Sequence, residues 1–286
     1  MEKIGLIAGR GNFPLLFAQQ AGKKGFFVSV IAVKGNTKRQ VKDCADRLSW
    51  ISIPEFKRIA DIFKADGISK AAMCGQINPY LLFDPKVMSH PDVLEFFGRI
   101  EDRRADTVFK TFSDRLRESG LELLDSTFFL GDYMPQEGAL SPRYPSEAEY
   151  KDIRFGFKLA KHLGQMDIGQ SVCVKDGVVL AVESIEGTDN TIRRARSFSR
   201  GGPIVLVKVS KPSQDMRFDV PVAGLKTVKN LPCGSCLAIE AGKTLFLERD
   251  QALHLAARKK IAIISVGIAS LTPFARNYKA TIAPVD

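Results

Sequence analysis

Apolar and polar residues follow one another along the chain in short β-type runs separated by helical periodicities. Lys3 to Ala8 is a compact apolar run, and the turn Gly9-Arg10-Gly11-Asn12 follows it. Positions spaced three and four apart then carry the apolar residues from Phe13 to Lys24, which predicts a helix. Phe26 to Val33 is rich in β-branched and aromatic residues and predicts a second strand. A helix is expected from Glu55 to Ala65, a strand from Lys70 to Cys74, a long amphipathic helix from Val93 to Ser119, and a strand at Leu121 to Leu124. Strands separated by helices of this size imply a parallel, doubly wound α/β sheet.

The pattern changes between Leu130 and Ser146, where Gly131, Pro135, Gly138, Pro142, Pro145 and Ser146 break any periodicity. This stretch predicts a division into an N-terminal domain, 1–132, a linker, 133–146, and a C-terminal domain, 147–286. Beyond it, Glu147 to Leu163 reads as a helix. Gln170 to Val174 and Val178 to Val182 flank Lys175-Asp176-Gly177, a hairpin signal. A helix from Thr188 to Ser199 precedes a strand at Ile204 to Val209. Further strands are expected around Ala238 and at Thr244 to Leu247, then a helix from Arg249 to Lys260 and a strand from Ile261 to Ser265. Ala269 to Asp286 is weakly patterned and reads as a tail.

Composition narrows the partners. The chain has 286 residues, 45% of them apolar, enough for a core in each of two domains. Its net charge of +10 favours an anionic partner. The basic residues are interleaved with acids and form no arm-like run, which speaks against nucleic acid. No apolar run approaches the length of a membrane span, so membrane contact is expected to be peripheral. Five cysteines and a start unlike a secretory signal predict free thiols in a reducing cytoplasm.

Several motifs fail on their missing partners. Gly9-Arg10-Gly11 resembles the opening of a dinucleotide fingerprint, but Pro14 stands in place of the third glycine and no acidic residue follows the second strand. A turn lining a phosphate-containing site remains, with Gly9 and Gly11 as candidates. Cys233-Gly234-Ser235-Cys236 has metal spacing, yet no second pair accompanies it, and the chain has three histidines, His90, His162 and His254. Gly242-Lys243-Thr244 lacks the earlier glycine of a P-loop.

Two clusters survive. One runs through Asp167, Gly169, Gln170, Glu183, Glu186, Thr188 and Asp189, with Arg193 and Arg194 a turn on. The other is the strip Lys208, Lys211, Gln214, Asp215, Arg217, Asp219 and Gly224, with Thr227 close behind. Acids and bases mixed this densely suit phosphoryl chemistry. A Mg²⁺ ion takes one or two carboxylates plus phosphate oxygens, and cations neutralise the charge of the transferring group. Pro212, Pro221 and Gly224 fix the backbone that carries the charges.

Taken together, Ile7-Ala8-Gly9-x-Gly11-x-x-Pro14, Asp167-x-Gly169-Gln170, Val182-Glu183-x-x-Glu186-Gly187-Thr188-Asp189 and the Lys208 to Thr227 strip resemble the LpxI-type UDP-2,3-diacylglucosamine pyrophosphatases. Ala241-Gly242-Lys243-Thr244 completes the likeness, which extends to about Gly267. The resemblance implies a Rossmann-like N-terminal domain and a C-terminal α/β domain peculiar to the family. It also implies hydrolysis of UDP-2,3-diacylglucosamine to UMP and a lipid-linked sugar 1-phosphate in lipid A synthesis, with Mg²⁺ or another divalent cation such as Mn²⁺. It places the catalytic aspartate at Asp219 and suggests a homodimer.

On the residue chemistry, Asp219 is expected to bind the metal or orient the attacking water, with Asp189 or Glu186 as second carboxylate. Lys208, Lys211 and Arg217 would meet the pyrophosphate, and Gln170, Thr188, Gln214 and Thr227 would bind phosphate or sugar. The positive charge would hold the protein peripherally at an anionic inner-membrane face. The competing reading is a non-catalytic nucleotide-sugar or lipid-phosphate binding protein. Arg10, between the glycines, and Cys233 to Cys236 depart from the family pattern.

Overall fold

The computed structural model describes residues 1–271 and divides them into two compact units. The first comprises 1–133 with two returning segments, 165–168 and 211–222, and the second comprises the intervening stretches 134–164, 169–210 and 223 onward. The expected tail lies outside the described residues, apart from a 3-10 turn at Ala269–Leu271.

In the first unit, strands β1 (Lys3–Ala8), β2 (Phe27–Val33), β3 (Arg47–Ile51), β4 (Lys70–Cys74) and β5 (Glu122–Leu123) form a sheet in the order β3-β2-β1-β4-β5. Every pair in it is parallel. This order matches the first five strands of the Rossmann order 3-2-1-4-5-6, as expected for alternating strands and helices. Helix α1 (Phe13–Lys23) buries Phe13, Phe17, Ala18 and Ala21. Helices α2 (Arg58–Ala65), α3 (Pro85–Met88), α4 (Pro91–Phe97) and α5 (Ala105–Glu118) follow. Ile59 and Phe63 from α2 and Leu116 from α5 pack with Ile7, Ile31, Ile51 and Leu123 from the sheet.

Two features differ from the sequence expectation. The single helix expected over Val93 to Ser119 is broken between α4 and α5. Gly98 closes α4, and the Asp102 carboxylate accepts the Arg104 N–H at 2.9 Å, a local turn that competes with helix. Strand β3 was not legible, because it is a half-exposed strand next to β2 alone, with Arg, Ser and Trp among its five residues.

The second unit is built on a six-stranded sheet in the order β6-β13-β11-β9-β7-β8. In chain order its elements are β6 (Gly138–Ala139), α6 (Glu147–Gln165), β7 (Ser171–Lys175), β8 (Val178–Val182), α7 (Thr188–Phe198), β9 (Val205–Lys208), β10 (Val222–Gly224), α8 (Leu225–Asn230), β11 (Cys236–Glu240), β12 (Leu245–Leu247), α9 (Arg249–Arg258) and β13 (Ala262–Val266). β9, β11 and β13 run parallel, while β7, β8 and β6 are antiparallel to their neighbours. β10 and β12 pair as a separate two-stranded sheet.

The period-2 rule divides the core cleanly. Val172, Val174, Val205, Val207 and Ala238 face α6, which contributes Ile153, Phe157 and Ala160. The alternate residues Cys173, Leu206, Leu237 and Ile239 face α7, α8 and α9 through Ile192, Val228, Ala252 and Ala256. The β7–β8 hairpin turns on Asp176 and Gly177, both left-handed at φ 50° and 78°, the geometry a two-residue hairpin loop demands. Asp152 of α6 accepts both turn N–H groups, from Asp176 at 2.9 Å and Gly177 at 2.8 Å.

Candidate active site

The second unit gathers one charged group at the open end of its hairpin. Lys208 ends β9 opposite Ser171, the first residue of β7. Its Nζ donates to Thr188 Oγ1 at 2.9 Å and Ser171 Oγ at 3.2 Å, and lies 3.6 Å from Glu183 Oε2. The Thr188 hydroxyl in turn donates to Glu183 Oε1 at 2.6 Å. Thr188 begins α7 directly after Gly187, and Glu183 directly follows β8, so local order in the chain delivers both. Burial works to raise the Glu183 pKa. The Lys208 charge and hydrogen bonds from Ser171, Thr188 and the Gln170 N–H outweigh it and hold the carboxyl below the usual glutamate range.

Gly169 is dictated by this arrangement, since a Cβ there would overlap the carbonyl oxygen of Glu183. Gly169→Ala is therefore expected to cost about 2–3 kcal/mol in urea unfolding, the upper part of the range for overpacking. A variant as stable as the parent would refute the contact.

The other acids expected at this site are already held by cations. Glu186 pairs with Arg194, which also donates to the Val182 carbonyl at 2.7 Å. Asp189 lies 2.5 Å from Lys226 Nζ and accepts from Asn230 at 2.7 Å. Gln170 and Thr227 are buried in the same unit.

The segment 211–222 carries the second group, packed with the first unit. The buried Lys211 Nζ is surrounded by three carboxylates: Asp106 at 2.7 Å, Asp219 at 3.3 Å, and Asp167, with which it is in direct contact. Burial opposes the charge on Lys211, but the three acids, Asp219 foremost, raise its pKa well above the ordinary lysine value. Asp106 sits in the first turn of α5, and its N–H donates to Asp167 at 3.2 Å. Asp167 and Asp219 both have φ 55°, a left-handed conformation that Asp adopts more readily than most non-glycine residues.

The rest of the strip braces itself. Gln214 accepts the Lys211 N–H at 3.2 Å and donates to the carbonyls of Phe218 and Asp219 at 3.2 Å, so its amide staples the loop. Arg217 grips Asp215 through Nε and Nη2, at 3.0 and 2.6 Å, and donates to Ser113 Oγ at 3.0 Å. Phe218 stacks on Phe109 with centroids 5.2 Å apart. Sequence reasoning singled out Lys211 and Asp219 but left Asp106, Asp167 and Glu183 without roles. Asp167 and Glu183 stood inside the quoted motifs, whereas Asp106 offered no signal within an amphipathic helix.

At the N-terminal turn, the Gly9 N–H is donated to Cys74 O at 2.8 Å and the Arg10 N–H to Gln76 O at 2.7 Å. Gly11, at φ 99°, and the first turn of α1 retain the other donors, with Pro14 supplying none. All five cysteines are free thiols, and Cys233 is exposed while Cys236 is buried at the start of β11. Among the described residues no three His, Cys, Asp or Glu side chains are grouped to hold a metal ion, and no helix is long and apolar enough to cross a membrane.

A parallel α/β unit and a second α/β unit with a mixed sheet, each holding a buried lysine beside at least one carboxylate, define a two-domain α/β protein. Residues 3–133 match the LpxI N-terminal domain and residues 136–264 the LpxI C-terminal domain. The chain belongs to the LpxI family. It is 27% identical over 285 residues to the UDP-2,3-diacylglucosamine pyrophosphatase LpxI of Caulobacter vibrioides, covering 94% of this chain and 98% of that protein.

Among solved structures, the biotin carboxylase domain of Hydrogenobacter thermophilus 2-oxoglutarate carboxylase aligns at 12% identity over 69% of this chain and 41% of that one, with a TM-score of 0.27. N5-carboxyaminoimidazole ribonucleotide synthetase from Thermotoga maritima aligns at 16% identity over 66% and 43%, with a TM-score of 0.26. Likenesses this slight carry no weight for fold or activity.

Proposed function

We propose that this protein acts in lipid A biosynthesis as a UDP-2,3-diacylglucosamine pyrophosphatase. In that reaction water adds to one phosphorus of the pyrophosphate, the bridging P–O bond breaks, and UMP and 2,3-diacylglucosamine 1-phosphate leave. The observation that supports this most is the pairing of a match to both LpxI domains with the Lys211–Asp219 group, whose acid is the residue the family resemblance makes catalytic.

The residues have separable tasks. Lys208, desolvated and held charged beside Glu183, counters negative charge on the substrate in a setting where water screens little, whereas Lys211, opposed by three carboxylates, holds Asp219 in place. Asp219, with its side chain 40% exposed, is accessible enough to orient water or to bind a divalent ion. The donor set fits Mg²⁺ in that one carboxylate suffices when phosphate oxygens and waters complete the shell. Asp189 and Glu186, with side chains 25% and 22% exposed, are less accessible and suit a ligand role less well. When bound, the ion would polarise the phosphoryl group and neutralise charge in the transition state. The +10 charge suits peripheral residence at an anionic membrane surface, where the lipid substrate lies.

Purified protein with UDP-2,3-diacylglucosamine and Mg²⁺ is expected to release UMP, and EDTA to suppress the release until Mg²⁺ or Mn²⁺ is restored. Binding of the substrate without any UMP would overturn the enzyme reading in favour of a lipid-nucleotide binding protein. Turnover unaffected by EDTA would remove the metal and keep the enzyme.

A further inference from the structure

A buried ion pair lies outside both groups described above. Lys161 of α6 runs past the Phe157 ring and places Nζ 2.7 and 2.6 Å from the two carboxylate oxygens of Glu240, the last residue of β11. The same Nζ donates to Ser210 O at 2.9 Å and Ser210 Oγ at 3.2 Å. Glu240 Oε2 accepts the Ser210 N–H at 2.7 Å and its hydroxyl at 2.9 Å. Backbone and side chain of one serine are thus gripped by one lysine and one glutamate.

The place of Ser210 gives the grip its meaning. The β9–β11 ladder pairs Val205 through Lys208 with Cys236 through Ile239 and extends no further. Ser210 lies two residues beyond Lys208, immediately before Lys211, where the chain passes from the second unit to the first. A buried ion pair is a weak source of stability, because desolvating two charges offsets most of their attraction. Its distinctive product here is a fixed direction for the backbone leaving β9.

We propose that Glu240 is a positioning residue, acting through Ser210 to hold the backbone that leaves β9 just beyond Lys208; this rests on the pyrophosphatase reading. Its work is done by the Ser210 N–H bond to Glu240, which needs an acceptor at 240 rather than a charge.

Two double variants separate positioning from packing. Lys161→Met with Glu240→Leu removes both charges and all acceptors, and is expected to unfold a few degrees below the parent, because the buried Ser210 N–H loses its acceptor. Its kcat for UMP release should fall roughly 10–100-fold, with KM within about threefold, as expected when reacting groups are displaced by about an ångström. Lys161→Met with Glu240→Gln keeps a carbonyl oxygen for the Ser210 N–H and should recover most of that loss. Hydrogen exchange at the Ser210 amide should speed up in the first variant and return toward the parent in the second.

Parent-like kcat and Ser210 protection in the Leu variant overturn the proposal, as does a Gln variant no better than the Leu variant. Should the Leu variant fail to fold, Lys161→Met with Glu240→Ala takes its place: faster exchange at Ser210 and a lower kcat than the Gln variant support the proposal, and parent-like values of both overturn it. A parent that releases no UMP refutes the activity alone, and the grip is then judged by exchange at Ser210.

Discussion

Asp219→Asn is expected to lower UMP release by about 10³-fold while leaving the melting temperature within a few degrees of the parent, a loss typical of removing a positioned acid–base or charge-stabilising group. Asparagine is the informative substitution because Asp219 sits at φ 55°. Asn adopts left-handed backbone about as readily as Asp, whereas Ala would add strain to the loss of charge. Asp219→Gly provides the complementary variant, free of strain and of carboxylate. Steady-state release of UMP beside a thermal melt checks the expectation. An Asn variant that keeps more than about a tenth of the activity would remove Asp219 from the chemistry.

Glu183→Ala is expected to be the most damaging change to stability, about 3–5 kcal/mol, because it leaves the Lys208 ammonium buried without its counter-charge. Urea unfolding at pH 7 reads this directly, and a cost below about 1 kcal/mol, the size of an exposed pair, would sink the idea. The pH dependence carries a second signature. The folded pKa of Glu183 is depressed below its ordinary 4.5. Its contribution is therefore complete above that value and is lost as pH falls through the lower folded one. The parent should lose stability on this acid limb, and Glu183→Gln, with no proton to take up there, should show a flatter limb.

Much of the fold was legible because local pattern and tertiary environment agree. β1, β4 and the β7–β8 hairpin lie close to where apolar runs and the Asp176-Gly177 turn place them. The break between α4 and α5 was hidden because its cause, a side chain of Asp102 bonding back to Arg104, leaves no trace in periodicity. The site was legible as residue types but not as partnerships. Lys208 and Lys211 stand three apart in the chain, yet Lys208 is held by residues of the second unit and Lys211 by Asp106 and Asp167 from far earlier in the chain. Nothing in the spacing of the strip could say that Gln214 would be turned inward upon its own loop.

That the first unit takes back residues 211–222 also sets a timetable for the ribosome. Once Tyr133 has been made, roughly 90 further residues must follow before this unit is whole, which at synthesis rates of about 5–20 residues per second means some 5–18 s. Throughout that interval Phe109 lacks the Phe218 ring stacked on it, Ser113 and Ser126 lack their partners at Arg217, and Asp106 lacks the Lys211 ammonium. Helix α5 of the nascent first unit therefore waits with Asp106 and Phe109 uncovered, and the last stitch in that unit's fold is the segment that carries Asp219.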